Sequence, residues 1–145
     1  MGFRRQAREL ALQMLFQIDF NHDQKDLPAS FWAGREALPQ VKAFAELLAQ
    51  GVLQRLPEID KTIEKYTQHW SPERMAAIDR NILRFSIFEL LYLKEIPPKV
   101  TINEAIEIAK KYGAEDSGAF VNGILDRVLH DDIKSESKGL KSEAS

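Results

Sequence analysis

Between Ser71 and Glu95 the stretch SPERMAAIDRNILRFSIFELLYLKE carries apolar side chains at Met75, Ile78, Ile82, Phe85 and Phe88, a stripe at helical spacing. Leu83, Ile87, Leu90, Leu91 and Leu93 fill much of the remaining circumference, so this helix has to be buried on several sides. Ser71 can cap it, Pro72 suits the first helical position, and no further proline comes before Pro97. Asp79, Arg80 and Arg84 put charge on one flank of the first half. That predicts an end that emerges at a surface or beside a partner, with the other helices wrapped around the second half.

The same period recurs on both sides. In residues 3–20, Ala7, Leu10, Ala11, Met14, Leu15 and Ile18 share a face, with Leu12 and Phe16 to one side. The polar run NHDQKD follows, and then Leu27, Phe31, Trp32 and Leu38 predict a short helical turn pinned to the core by aromatics. Pro39 opens a helix with Val41, Phe44, Ala45, Leu48, Val52 and Leu56 inward, and Gly51 inside it marks a close approach of a neighbouring helix. A kink at Leu56-Pro57 separates it from a segment through Ile59, Ile63 and Tyr66, after which Trp70 closes the first half against the core.

Ile96-Pro97-Pro98 predicts an extended turn, and Thr101 with Glu104 has the spacing of a capping box opening the next helix. Ile102, Ala105, Ile106 and Ala109 face inward there, Lys110 and Lys111 favour the last turn, and Gly113 supplies the stop. AEDSGAFVNGILDRVLHDD reads as a final helix with Val121, Ile124, Leu125 and Val128 inward, and Asp116 or Ser117 as its cap. Asn122 and Gly123, both weak helix formers, imply tight packing or a polar contact. No stretch reads as a strand. About seven helical segments with short connections make the expected fold class all-α, a compact bundle of two helical halves around a buried central helix. One domain is expected over residues 1–134, and the Ser, Lys, Glu and Gly of 135–145 cannot bury enough to order themselves.

Composition narrows the chemistry. The 145 residues include no cysteine, which excludes a disulfide framework, a thiolate nucleophile and Cys-ligated zinc. No apolar run approaches the roughly 18 residues of a membrane span, and no signal-peptide block follows the basic start, so a cytoplasmic location is expected. A net charge of −2 means that any affinity for nucleic acid has to come from local clusters of Lys and Arg. His22, His69 and His130 show no metal-ligand spacing, and Glu104 with Glu107 lacks a neighbouring base. No catalytic residue, metal or cofactor is expected, and binding is the better default.

Two features stay open on the residues alone. Arg4, Arg5 and Arg8 sit at a helix N-terminus, where the macrodipole disfavours positive charge. Their spacing aims guanidinium forks along one face, either to grip phosphates or to lie solvated with Arg5 paired to Glu9. Phe120 lies at the edge of its helix's apolar face, beside Asp116, Lys110 and Lys111, and is either a core ring or a platform for an unpaired base. Ribonucleotide capture by both requires the forks and the ring to meet at one pole of the bundle.

The blocks RRQARELALQMLFQ, WSPERMAAIDRNILRFSIFELLY, IPPKVTINEAIEIAKKYG and AEDSGAFVNGILDRV together resemble the NusB family of bacterial transcription antitermination factors over nearly the whole chain. The resemblance implies an all-helical RNA-binding factor that joins the ribosomal protein NusE to bind single-stranded boxA RNA. It also implies membership of the RNA polymerase antitermination complex that promotes read-through in ribosomal RNA operons. Carried over by position, it puts the RNA-facing surface on Arg4, Arg5, Arg8, Glu115, Asp116, Ser117 and Phe120, and the protein-partner surface on Phe16, Glu73 and Asp79. Weak RNA binding is expected until NusE is present. Monomer and homodimer stay open, as does a helical protein-protein adaptor without direct RNA contact.

Overall fold

In the computed structural model, which describes residues 2–20, 29–67 and 74–133, apolar periodicity resolves into α1 (Phe3–Phe20), α2 (Pro39–Gln54), α3 (Leu56–Tyr66), α4 (Ala77–Tyr92), α5 (Pro98–Tyr112) and α6 (Ser117–Val128). A 3-10 turn at Ala29–Trp32 precedes α2, and a π turn at Leu129–Ile133 follows α6. These six α-helices of the described residues, with the 3-10 turn, stand where about seven segments were expected. Ser71, Pro72, Glu73, Trp70, Leu27, His22, His69 and the 135–145 tail lie outside the described residues.

The central helix is α4, and from Asn81 to Leu90 every residue is buried. α1, α2, α3, α5 and α6 all pack on it. Its expected start at Ser71 is corrected to Ala77, because Ala76 (φ −57°, ψ 136°) is extended. The expected exposure of its charged flank is also corrected. Arg84 is buried, its Nε and Nη2 donating to the two Asp60 oxygens at 2.9 Å each and its Nη1 to Asp19 Oδ1 at 3.2 Å.

Gly51 is a close approach: a Cβ there would lie 2.2 Å from the Phe88 ring, so the α2–α4 spacing depends on its absence. Arg55 (φ −123°, ψ 22°) breaks α2 from α3, and Pro57 falls in the first turn of α3, where its missing N–H costs nothing. α5 starts at Pro98, earlier than the expected capping box, because the locked φ of proline suits a first turn. Thr101 is therefore interior, and its hydroxyl donates to Glu89 Oε1 at 3.0 Å. Gly113 ends α5 in an extended conformation (φ −94°, ψ −168°), and a Cβ there would crowd Ser117 Oγ at 2.5 Å. Gly123 corrects another expectation, since it is exposed and a Cβ on it would meet nothing within 4 Å.

Candidate nucleic-acid interface

The basic start of α1 divides into three different environments. Arg8 is 1% exposed. Its Nε donates to Glu89 Oε2 at 2.8 Å and its Nη2 to Glu89 Oε1 at 2.7 Å, while Nη1 reaches Glu104 Oε1 at 3.3 Å. The fork that spacing aimed at a phosphate is thus filled by a buried carboxylate, and Arg8 is corrected from an RNA contact to an internal strut. Arg5 is partly exposed and pairs with Glu104, its Nε donating at 2.6 Å, and this bond holds its pKa above the ordinary value. Its expected alternative partner, Glu9, instead pairs with Lys111 at 3.0 Å. Arg4 is exposed, its guanidinium 5.1 Å from the centroid of the Phe44 ring, and no carboxylate of the described residues pairs with it. Since Glu89 and Glu104 balance Arg8 and Arg5, Arg4 is the one of these three arginines that no described carboxylate balances.

Phe3, Arg4, Gln40, Ala43, Phe44 and Leu47 line a cleft of about 420 Å³ between the start of α1 and α2. Phe3 and Leu47 are half exposed, which is unusual for large apolar groups lying side by side.

At the α5–α6 turn, Glu115 and Asp116 are exposed. Ser117 is 1% exposed, and its Oγ accepts the Ala114 N–H at 2.8 Å. Its expected RNA contact is corrected to a turn-closing one, for its oxygen is sealed inside. Neither Asp116 nor Ser117 makes a side-chain cap of α6. Phe120 is half buried, packed against the core on one side and open on the other. Its ring separates two clefts, one of about 310 Å³ with Tyr66, Thr67, Ala119, Gly123, Ile124 and Arg127, the other of about 280 Å³ with Arg74, Met75, Ala76, Asp79 and Asp116.

Asp79, expected on the partner surface, therefore shares a cleft with Asp116 and Phe120 from the expected RNA surface. Its Oδ1 is buried without a hydrogen-bond partner. The forks and the ring do not meet. The Phe120 cleft touches α4 at Asp79, whereas Arg8 meets α4 at Glu89, about 15 Å further along the helix axis at 1.5 Å per residue. The Lys111–Glu9 pair bridges α5 and α1.

Phe16 is half buried and packs at a tilt of 54° against Phe20, ring centroids 4.8 Å apart, and Phe20 is 71% exposed. Sequence reasoning missed Phe20, although its four-residue spacing from Phe16 was the available signal. It also missed Asp19, whose Oδ2 accepts from Asn81 Nδ2 at 2.7 Å and from Arg80 Nη2 at 2.9 Å. Burial alone would raise the Asp19 carboxyl, but the Asn81 bond and the charges of Arg84 and Arg80 outweigh it and hold its pKa below the ordinary carboxylate value. A carboxyl depressed on folding stabilises the fold above its unfolded pKa and loses that stabilisation as pH falls through the folded one. Asp19→Asn is expected to cost about 1.5 to 3 kcal/mol at pH 7 in urea unfolding, with the gap from the parent shrinking below about pH 4. A gap independent of pH would remove the carboxylate charge from the network.

Among the described residues no group of three or more His, Asp or Glu side chains is placed to hold a metal ion, and no helix is long and apolar enough to cross a membrane. What this arrangement offers is recognition: exposed rings beside clefts, an unpaired guanidinium, and carboxylates at an open turn.

Known proteins share both the sequence and the fold. The transcription antitermination protein NusB of Desulfitobacterium hafniense is 50% identical over 139 residues, covering 94% of each chain. A solved T. maritima NusB is 42% identical with a TM-score of 0.81, covering 88% of this chain and 91% of that one. A chain in the crystal structure of the antitermination factors NusB and NusE in complex with dsRNA is 27% identical with a TM-score of 0.77, covering 90% of this chain and 98% of that one. The NusB family model matches residues 5–130, the stretch that carries α1 through α6, and the chain belongs to the NusB family.

Proposed function

We propose that the chain is an RNA-binding transcription antitermination factor, which with the ribosomal protein NusE takes up boxA RNA and promotes read-through by RNA polymerase in ribosomal RNA operons. Family membership supports this, and the observation that carries it furthest is the fold shared with a solved assembly of NusB, NusE and dsRNA. The factor works in the cytoplasm as one helical domain ending near residue 134, and its task is binding, not catalysis.

Phe120 offers an open ring face on which an unstacked base can lie, and Asp116 at the mouth of the cleft can accept a hydrogen bond from a base amine. Glu115 flanks the same turn. Arg4 neutralises a phosphate, and the solvent side of Arg5 offers a second contact weakened by its bond to Glu104. Arg8 and Ser117 contribute from inside, by fixing α1 against α4 and closing the α5–α6 turn. Joint capture at a single pole is ruled out by their separation, so Arg4 and Phe120 act as two distinct contacts, and a strand reaching both has to cross the distance between the two ends. With Arg4 at one end and Arg74 and Arg127 beside Phe120 at the other, the cations are too scattered to hold a strand tightly, and affinity for RNA is low until NusE extends the surface. Phe16 and Phe20 form the apolar part of the NusE-facing patch, and Asp79 with Glu73 the acidic part.

The test is titration of the chain, with and without NusE, against single-stranded boxA RNA, its scrambled sequence and a duplex of the same length. Single-stranded boxA is expected to bind tightest, and NusE to tighten it. Phe120→Leu, which keeps an apolar side chain but removes the ring, is expected to weaken binding about tenfold without changing the salt slope. Equal binding of boxA and scrambled RNA would overturn the sequence preference. If RNA is never bound while NusE is, the chain is a protein-protein adaptor.

A further inference from the structure

We infer that the cleft between α1 and α2, lined by Phe3, Arg4, Gln40, Ala43, Phe44 and Leu47, is a nucleobase subsite for single-stranded RNA, distinct from the Phe120 platform. The inference rests on the RNA-binding function proposed above and adds a place for a second, separate nucleotide.

Four observations converge on that ligand. The cleft is mainly apolar, and Phe3, half exposed, offers it an aromatic ring that is a sequence-tolerant partner for a base, while the Phe44 ring opposite carries the Arg4 and Arg8 guanidiniums. Its volume of about 420 Å³ falls in the range of small-ligand sites. No carboxylate lines it, and Arg4 at its edge pairs with no described acid, so the local charge favours a phosphate attached to the bound base. Gln40 adds an amide, able both to donate to and accept from a base edge. A hydrophobic peptide would also find the apolar walls, but it would leave the guanidinium without a counter-charge.

The cleft stays open because the core behind it is already closed. Arg8 packs its guanidinium 5.6 Å from the Phe44 centroid while bound to Glu89, which fixes the ring from the interior side and leaves its other surroundings to Arg4. Phe3 in the first turn of α1 and Leu47 on α2 are 52% and 45% exposed, so truncating them leaves the core untouched.

The experiment is an abasic scan. Single-stranded boxA RNAs, each lacking one base, are titrated into the complex of the full chain with NusE, for the parent, Phe3→Ala/Leu47→Ala, Arg4→Gln and Phe120→Leu. For the parent, two separate positions are expected to lose about tenfold in affinity when the base is removed. At one of them the loss disappears in Phe3→Ala/Leu47→Ala, and at the other in Phe120→Leu. Arg4→Gln is expected to flatten the slope of log K against log salt by about 0.7, as for one phosphate contact on a single strand.

If Phe120→Leu abolishes a base effect but Phe3→Ala/Leu47→Ala abolishes none, the cleft is no base site and RNA binding stands. If no RNA binds, both fall. If the double variant instead weakens NusE binding or changes the sedimentation mass, with every base effect intact, the cleft takes a protein and the inference is overturned.

Discussion

Arg8→Met is expected to destabilise the fold by about 3 to 5 kcal/mol, although the same residue, judged from its place in a basic run, looks like a dispensable surface charge. The methionine roughly replaces the aliphatic stem, so the loss is chiefly electrostatic. Glu89 would be left at 1% exposure with only the Thr101 hydroxyl donating to it. Removing one partner of a buried pair costs far more than replacing both, so Arg8→Met/Glu89→Leu is expected to recover most of the loss. Urea unfolding of the three variants checks this, and a single variant within about 1 kcal/mol of the parent would mean that water reaches Glu89. A second readout separates structure from recognition. Where Arg8→Met remains folded, its salt slope for RNA is expected to match the parent's, because no phosphate contact has been removed.

That contrast shows what the sequence could and could not convey. Helical period, proline positions and the burial of α4 are local properties, and they are legible because each follows from residues within a few turns of one another. Gly51 was legible for the same reason, as a gap in an otherwise apolar helix face. The fate of Arg8 was not, because its acids lie 81 and 96 residues away along the chain. A fork aimed at phosphate and a fork filled by glutamate have the same local sequence.

Thr101 and Glu104 illustrate a related failure. Their spacing fits a capping box, but prolines at 97 and 98 moved the helix start upstream, and both side chains were then free to bind partners on other helices. Phe120 was left between core and platform, and its ring is packed on the core while lining two clefts, an intermediate state that periodicity at the edge of an apolar face cannot resolve. The cleft of Phe3, Phe44 and Leu47 had no local signature at all, since it exists only where two helices meet. Family resemblance named positions at two separate ends of the bundle, the start of α1 and the α5–α6 turn, where Arg4, Glu115 and Asp116 are exposed. It did not separate side chains that face solvent from those, such as Arg8 and Ser117, that hold the surface in place.

Gly51→Ala sets two physical effects of opposite sign against each other, and packing is expected to win. In a helix interior alanine is favoured over glycine by up to about 1 kcal/mol, so an exposed site would gain stability. Here the new methyl would sit 2.2 to 2.7 Å from three atoms of the Phe88 ring, closer than real carbon atoms approach. Phe88 cannot simply swing aside, because it is 4% exposed and its ring lies 5.5 Å from that of Tyr92. Either α2 moves off α4 or Phe88 leaves its rotamer, and overpacking of this kind costs about 1 to 3 kcal/mol. A double-mutant cycle isolates the contact. Phe88→Leu alone opens space and destabilises, whereas Gly51→Ala/Phe88→Leu is expected to be more stable than the sum of the single effects by about 1 kcal/mol or more. Additive effects would mean that the helices part without strain, and the spacing of α2 on α4 would then be set by something other than the missing side chain. Since α2 also forms one wall of the α1 cleft, a shift of α2 predicts a change in RNA affinity for Gly51→Ala that the Phe88→Leu background removes.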